Sequence, residues 1–286
     1  MDPQVTEITI LPGKDKNGRT EHFDRIVIRP GETLAIVGPT GSGKSAFISD
    51  IEVFARNDTV TGRTVLVNGE VPPDDYVRDP AKKPVALITQ NTRCLADLRV
   101  AEFLRMHLSA RGIGDAGVVE ETITLANEFT GEKIAPGVRM TSLSGGQTRS
   151  LMVADAILIG STPVIILDEV ENAGIFKDRV IEVLRTYQKA VVFVTHDPLV
   201  ALMCDRRIVM RNGTVVRVIE HTGAEDEALS AVKKMDGILC RLRERIRAGE
   251  AITSGLPADF AQEEVHTSLT SDPARTTVTS ESVHTA

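Results

Sequence analysis

Tryptophan is absent from this chain, and aromatic residues make up only 3% of its 286 positions. Stacking platforms for nucleic-acid bases are built from such rings, so single-stranded nucleic acid is not an expected ligand. Positive charge is also in deficit. Lys and Arg number 33 against 40 Asp and Glu, giving a net charge of -7 and an isoelectric point near 5.5. Nonspecific attraction to a phosphate backbone needs the opposite balance, and no nucleic-acid partner is expected. Cysteine is scarce as well. Cys94, Cys204 and Cys240 lie far apart with no CxxC or Cys/His ligand spacing, which reads as three reduced thiols in a cytosolic protein. The polar start, Met1–Glu7, has no secretory pattern. Apolar runs such as Val164–Leu167 fall far short of the ~20 residues that span a bilayer, so work at a membrane would require docking onto another chain.

What is present suits a sizeable core. Hydrophobic residues make up 42%, and the length fits one large α/β domain with additions or two small domains. Ile8, Ile10, Ile26 and Ile28 alternate with other residues around the turn-rich Pro12–Arg19, predicting strand, turn, strand. Thr33–Val37 is a short apolar run before a glycine-rich loop, and Ser45–Phe54 follows as a helix. Thr64–Val67 is β-rich and ends in Asn68-Gly69, a hairpin signal. Val71–Pro84 is a Pro/Asp-rich connection, and Val85–Thr89 is a buried-type strand. Val100, Phe103, Leu104 and Leu108 share a helical face, and Val118–Phe129 forms a second helix beyond Gly112 and Gly114. Val164–Leu167, Val180–Tyr187 and Val191–Thr195 then read as strand, helix, strand. Such alternation predicts a mostly parallel sheet with crossover helices, interrupted by a helical insertion.

After Glu220 the character changes. Leu229, Val232, Met235, Leu239, Leu242 and Ile246 recur at three- and four-residue steps, with Gly249 as a stop. This is either a helix packed on its own domain or a docking or dimerising helix, because the step is nearly heptad. Beyond about His266 nearly half the residues are Ser or Thr, which predicts a disordered tail.

Four features carry chemistry. Gly38-Pro39-Thr40-Gly41-Ser42-Gly43-Lys44-Ser45, followed by Ala46, fits the phosphate-loop pattern G-x-x-x-x-G-K-[ST], with a strand before and a helix after. Its glycines turn backbone N–H groups toward phosphate oxygens, and the helix points its positive end at them. Lys44 would reach the β- and γ-phosphates and Ser45 the bridging Mg²⁺. Second, Val164–Leu167 delivers Asp168 and Glu169 at a strand end, beside the loop in an open α/β sheet. Asp168 suits Mg²⁺, and Glu169 suits a general base on the attacking water. Third, Leu143-Ser144-Gly145-Gly146-Gln147 opens a helix as a further anion cradle. Fourth, Gln90 and His196 each follow a strand.

Taken in chain order, Gly38–Ser45, Gln90, Leu143–Gln147, Val164–Glu169 and His196, these segments resemble the ATP-binding cassette (ABC) ATPase family, from about Ile8 to Val218. Leu95–Leu108 is similar to the helical subdomain of transporter cassettes. The resemblance implies an α/β P-loop NTPase of ABC type. It would have a mostly parallel sheet core, an antiparallel β subdomain and an inserted helical subdomain. The implied organisation is a cassette over 1–220 with its helical subdomain at about 91–150. An amphipathic helix over 221–250 and the tail over 251–286 would follow. It also implies ATP and Mg²⁺, and a head-to-tail dimer, most simply of identical cassettes. In that dimer Lys44, Ser45, Gln90, Asp168, Glu169 and His196 of one copy meet Ser144, Gly146 and Gln147 of the other. Gln90 would contact Mg²⁺ and water, and His196 the γ-phosphate.

Three departures stand out. The turn Gly13–Thr20 has no aromatic residue where the family usually stacks adenine, and His22 and Phe23 lie close to the next strand. Asn172–Phe176 replaces the usual Ser-Ala-Leu-Asp after the general base, with Asp178 later. Thr148 replaces a basic residue or Gln. The leading expectation is the ATP-hydrolysing subunit of an ABC transporter, cytoplasmic and peripheral at the inner face of the membrane, docked on a separate transmembrane permease. A soluble ATPase that remodels a protein or metallocofactor assembly is the alternative, and a cassette that binds without turnover is a third.

Overall fold

The computed structural model describes residues 5–92, 94, 96–160, 162–169 and 176–252. Apolar residues at alternate positions of β1 (Ile8–Leu11) and β2 (Ile26–Ile28) bury one face of a small antiparallel sheet. Its order is β2-β1-β4, with β4 (Thr64–Val67) on the other side of β1 and Ile8 opposite both Ile28 and Val67.

The larger sheet has the order β5-β6-β7-β3-β8-β9. Its strands are β3 (Thr33–Val37), β5 (Val85–Thr89), β6 (Val164–Asp168), β7 (Ala190–Val194), β8 (Arg206–Arg211) and β9 (Thr214–Glu220). All neighbours run parallel except the β8–β9 hairpin. Strands buried on both faces need apolar residues at every position, a requirement met by β7 and by the first four residues of β6. Ile165, Leu167, Val191 and Phe193 face one core, while Val164, Ile166, Val192 and Val194 face the other.

Each core has its own cover. On one face lie α3 (Val100–Ala110), α4 (Val118–Ala126), α5 (Gly145–Leu158) and α6 (Lys177–Thr186). The periodic residues Val100, Phe103, Leu104 and Leu108 are all buried there. The opposite face is covered by the small sheet and by α1 (Lys44–Glu52), through Phe47, Ile48 and Ile51. Each fully buried side chain of this kind contributes ~1.5–3 kcal/mol. Cys204 lies in the first core, where burial pushes its thiol up to about 12.

Some details differ from the sequence expectations. Asn68-Gly69 does turn the chain, with φ of 53° and 80°, but only Glu70 returns to pair with Val67. The Pro-rich stretch beyond it cannot supply a ladder of N–H donors, and it carries the short helix α2 (Asp75–Arg78) instead. The β8–β9 hairpin was not anticipated, because Arg206–Arg211 is half arginine. Its tip, Asn212-Gly213, has the same left-handed pair of φ values, 51° and 85°.

The short helix α7 (Pro198–Met203) follows β7. Beyond β9, α8 (Asp226–Arg247) contains no buried residue. Contacts divide the chain after Asp236, inside that helix. In the second part, Gly249 takes φ 79° and its N–H donates to Ile246 O at 3.0 Å, ending the helix. Two sequence readings, the Asn172–Ile175 departure and the Ser/Thr-rich tail from 253 onward, lie outside the described residues.

Candidate functional site

The loop between β3 and α1 is shaped by close approaches that only glycine tolerates. A Cβ on Gly38 would lie 2.3 Å from Met210 O, and one on Gly43 would lie 2.8 Å from Gly213 Cα. Gly41 and Gly43 also take φ of 75° and 101°. Ser42 N donates to Pro39 O at 3.0 Å, closing the bend. Lys44 is buried and folds back over the loop, donating from Nζ to Gly38 O at 2.7 Å and Pro39 O at 3.2 Å. No side chain caps α1, so its first-turn amides have no side-chain acceptor from the N-cap. Buried Ser42 Oγ has no hydrogen-bond partner either. Pro39, Thr40, Gly41, Ser45 and Ala46 are exposed. A set of donors with unfilled valence at a helix N-terminus suits a polyanion.

Four strands end level with this loop. Across the sheet Thr89 pairs with Asp168, Asp168 with Val194, and Val194 with Ile36. The residues that follow therefore leave the sheet along one edge, which Gln90, Glu169 and His196 share with Gly38, and His196 lines a cleft with Gly38. Glu169 takes a left-handed φ of 52°, and its N–H donates to Val194 O at 2.9 Å. That kink at a non-glycine residue redirects the side chain out of the pleat, a kind of strain that clusters at functional sites. Glu169 Oε1 lies 3.6 Å from His196 Nε2, and both side chains are partly exposed. Val37–Pro39 and Thr195–Asp197 line a cleft of about 330 Å³. Asp197 Oδ1 caps α7, accepting from Leu199 N at 2.8 Å, while Lys177 pairs with its carboxylate.

A profile of the ABC transporter family matches residues 25–172. An uncharacterized ABC transporter ATP-binding protein of Methanocaldococcus jannaschii is 50% identical over 250 residues, 87% of this chain and 96% of its own. This chain belongs to the ABC transporter family. The zinc import ATP-binding protein ZnuC of Paracoccus denitrificans is 31% identical over 202 residues, covering 68% of this chain and 70% of its own. Among solved structures, the ADP conformation of an ATP-binding cassette of an ABC transporter superposes with a TM-score of 0.57. It is 21% identical and covers 80% of this chain and 96% of that one. CbiO1 of Clostridium perfringens gives 0.59 at 20% identity, covering 85% and 100%. These two share the fold. Among the described residues of this ABC chain, no helix is long and apolar enough to cross a membrane.

The ABC signature segment is tied up within itself. Ser144 caps α5: its Oγ accepts from Gln147 N at 3.3 Å, and Gln147 Oε1 accepts from Ser144 N at 2.9 Å. Gln147 Nε2 donates onward to Lys133 O at 3.3 Å. Thr148 Oγ1 donates to Ser144 O at 3.0 Å. No hydrogen bond joins Ser144–Gln147 to Gly38–Ser45 among the described residues. One residue along, Arg149 reaches the other way. Its Nη2 donates to Gln90 O at 2.6 Å, and burial lowers the pKa of its guanidinium.

The ABC phosphate loop also has a brace that sequence reasoning missed. Arg63 is fully buried and forks onto Glu21 at 2.8 and 2.7 Å, with Asp50 of α1 at 3.1 Å. Thr59 and Thr61 hydroxyls fill Asp50, each at 2.8 Å. Gly13 N donates to Glu21 at 2.9 Å, and Phe47 lies 4.9 Å beneath the guanidinium. Arg63 Nη2 also donates to Gly213 O at 2.6 Å, while Gly213 N donates to Ser42 O at 2.8 Å. The network thus runs from the small sheet through the hairpin tip to the loop itself.

Proposed function

We propose that this chain is the ATP-binding and ATP-hydrolysing subunit of an ABC transporter, acting as a pair of identical cassettes. The observation that carries the reading is the alignment of four strand ends with a loop that opens an uncapped helix and holds the buried, unpartnered Ser42 Oγ. In this account the amides of Gly38–Ser45 and the ammonium of Lys44 hold the β- and γ-phosphates. Lys44 exchanges its two loop carbonyls for phosphate oxygens. His196 contacts the γ-phosphate, and Glu169 accepts a proton from the water that attacks it, so that ATP and water give ADP and phosphate.

The remaining donors at this edge are the Ser45 hydroxyl, the Asp168 carboxylate and the Gln90 amide, the oxygen set that Mg²⁺ takes. Ser45, Asp168 and Gln90 would hold Mg²⁺, which would supply positive charge to offset the negative charge of the polyphosphate. Ser144, Gly146 and Gln147 of the second cassette complete the site. The lack of any hydrogen bond between these segments within one chain supports that reading. Closure around ATP and reopening after hydrolysis is a ligand-driven two-state switch.

In this reading the cassette pair sits at the cytoplasmic face of the membrane, docked on a separate permease. The test is purification of the tagged full chain from detergent-solubilised membranes of its own cells. The expected result is a stoichiometric polytopic membrane protein in the eluate. Recovery with soluble proteins only would contradict the transporter reading.

A further inference from the structure

Rings are few in this chain, and the fold has committed them elsewhere. Phe47, Phe54, Phe103, Phe129 and Phe193 are buried in the cores. Tyr76 is buried against Phe54, with ring centroids 6.1 Å apart, and Phe23 packs on the core below the small sheet. Phe176 lies against Gly131 in the helical region. Tyr187 ends α6 at the far edge of the sheet, where β7 begins. Among the described residues, then, no Phe or Tyr ring offers a face to a base beside the phosphate loop. One such ring is worth about 5- to 150-fold in affinity for a base.

The turn that packs on the loop presents a cation instead. The turn is closed by pairing of Lys14 with Thr20, and Asp15 Oδ1 pins Asn17 N at 2.8 Å and Arg19 N at 2.9 Å. Lys16 N donates to Asn212 O at 3.1 Å, and Lys16 Nζ donates to Gly41 O at 2.5 Å. Added to the Gly213–Ser42 hydrogen bond, these contacts lock turn, hairpin tip and phosphate loop into one rim. The charge of Arg63 below is matched by Glu21 and Asp50. Lys16 has a backbone carbonyl as its partner, so its charge is available to a nearby polyphosphate.

We propose that Lys16 is a specificity-determining residue that makes this a base-tolerant nucleoside-triphosphate site. Attraction between its ammonium and the polyphosphate chain takes the place of stacking on the base. The inference rests on the nucleotide-binding role argued above. An ammonium recognises charge on phosphate equally in ATP, GTP and CTP, whereas a ring separates them by their stacking surface.

Calorimetric titration of the full chain with ATP, GTP, CTP and inorganic tripolyphosphate, each with Mg²⁺, tests this. Wild-type affinities for the three nucleotides are expected within about threefold of one another, well inside the range that one stacking ring spans. Lys16→Ala should weaken all four ligands alike, by about three- to tenfold, less so at high salt. Lys16→Arg should restore the loss, and Lys16→Tyr should raise ATP affinity about fivefold or more relative to tripolyphosphate. A wild-type preference for ATP over CTP of about tenfold or more, a size that one stacking ring supplies, would overturn the proposal. So would a Lys16→Ala variant that binds all four ligands as wild type does. If none of the four binds wild-type protein, the nucleotide-binding role itself has failed, and this inference with it.

Discussion

Gly38–Ser45 and Ser144–Gln147 both place glycine at the start of a helix, yet they are held in opposite ways. The first has no side-chain cap, and its support comes from outside: buried Arg63, the Gly213 turn and the Lys16 turn. The second is closed by its own residues through the reciprocal Ser144–Gln147 cap. An externally braced loop keeps its amides open for a ligand while its shape is fixed elsewhere. A self-capped helix start is stable without neighbours, but its amides at the cap are already used. This difference fits a division of labour in which one loop is ready to grip phosphate and the other must be brought to it.

Removing the external brace should have the largest effect. Arg63→Ala leaves Glu21 and Asp50 buried without their cation, and such a break costs about 3–5 kcal/mol. Urea unfolding measures it, and a loss under about 1 kcal/mol, the scale of an exposed ion pair, would mean the network carries little. Next comes the interlock between loop and hairpin. Gly43→Ala drives a methyl to within 2.8 Å of Gly213 Cα, with an expected cost of about 1–3 kcal/mol. ATP affinity should fall with it, and unchanged binding would show that the hairpin tip does not shape the loop. The self-capped segment should be the least sensitive. Ser144→Ala removes one cap, costing about 1 kcal/mol of stability, with ATP affinity of the monomer unchanged. A loss of monomer affinity would erase the distinction between the two loops.

The two loops were legible in the sequence for the same reason that their supports were not. Gly38–Ser45 is a contiguous pattern, and Ser144 lies three residues from its capping partner Gln147, so the signal is local. Buried strands such as Val164–Asp168 announce themselves by continuous apolar runs. Arg63, by contrast, is an arginine beside a turn, and its partners Glu21, Asp50 and Gly213 lie 42, 13 and 150 positions away. Nothing in composition or spacing marks it as buried. Arg149 was hidden likewise, since Gln90 lies 59 positions from it. Gln90, Glu169 and His196 were found as separate strand-end residues. Their alignment along one edge follows from a register that the sequence does not state.

The central claim is that this edge hydrolyses the triphosphate that the phosphate loop holds. Single-turnover hydrolysis of ATP by Glu169→Gln, with ATP binding measured on the same sample, tests it most directly. Loss of the proton-accepting carboxylate should leave ATP bound and lower the hydrolysis rate by about 10²–10⁴. Turnover at the wild-type rate would contradict the account, because a second base would then be needed.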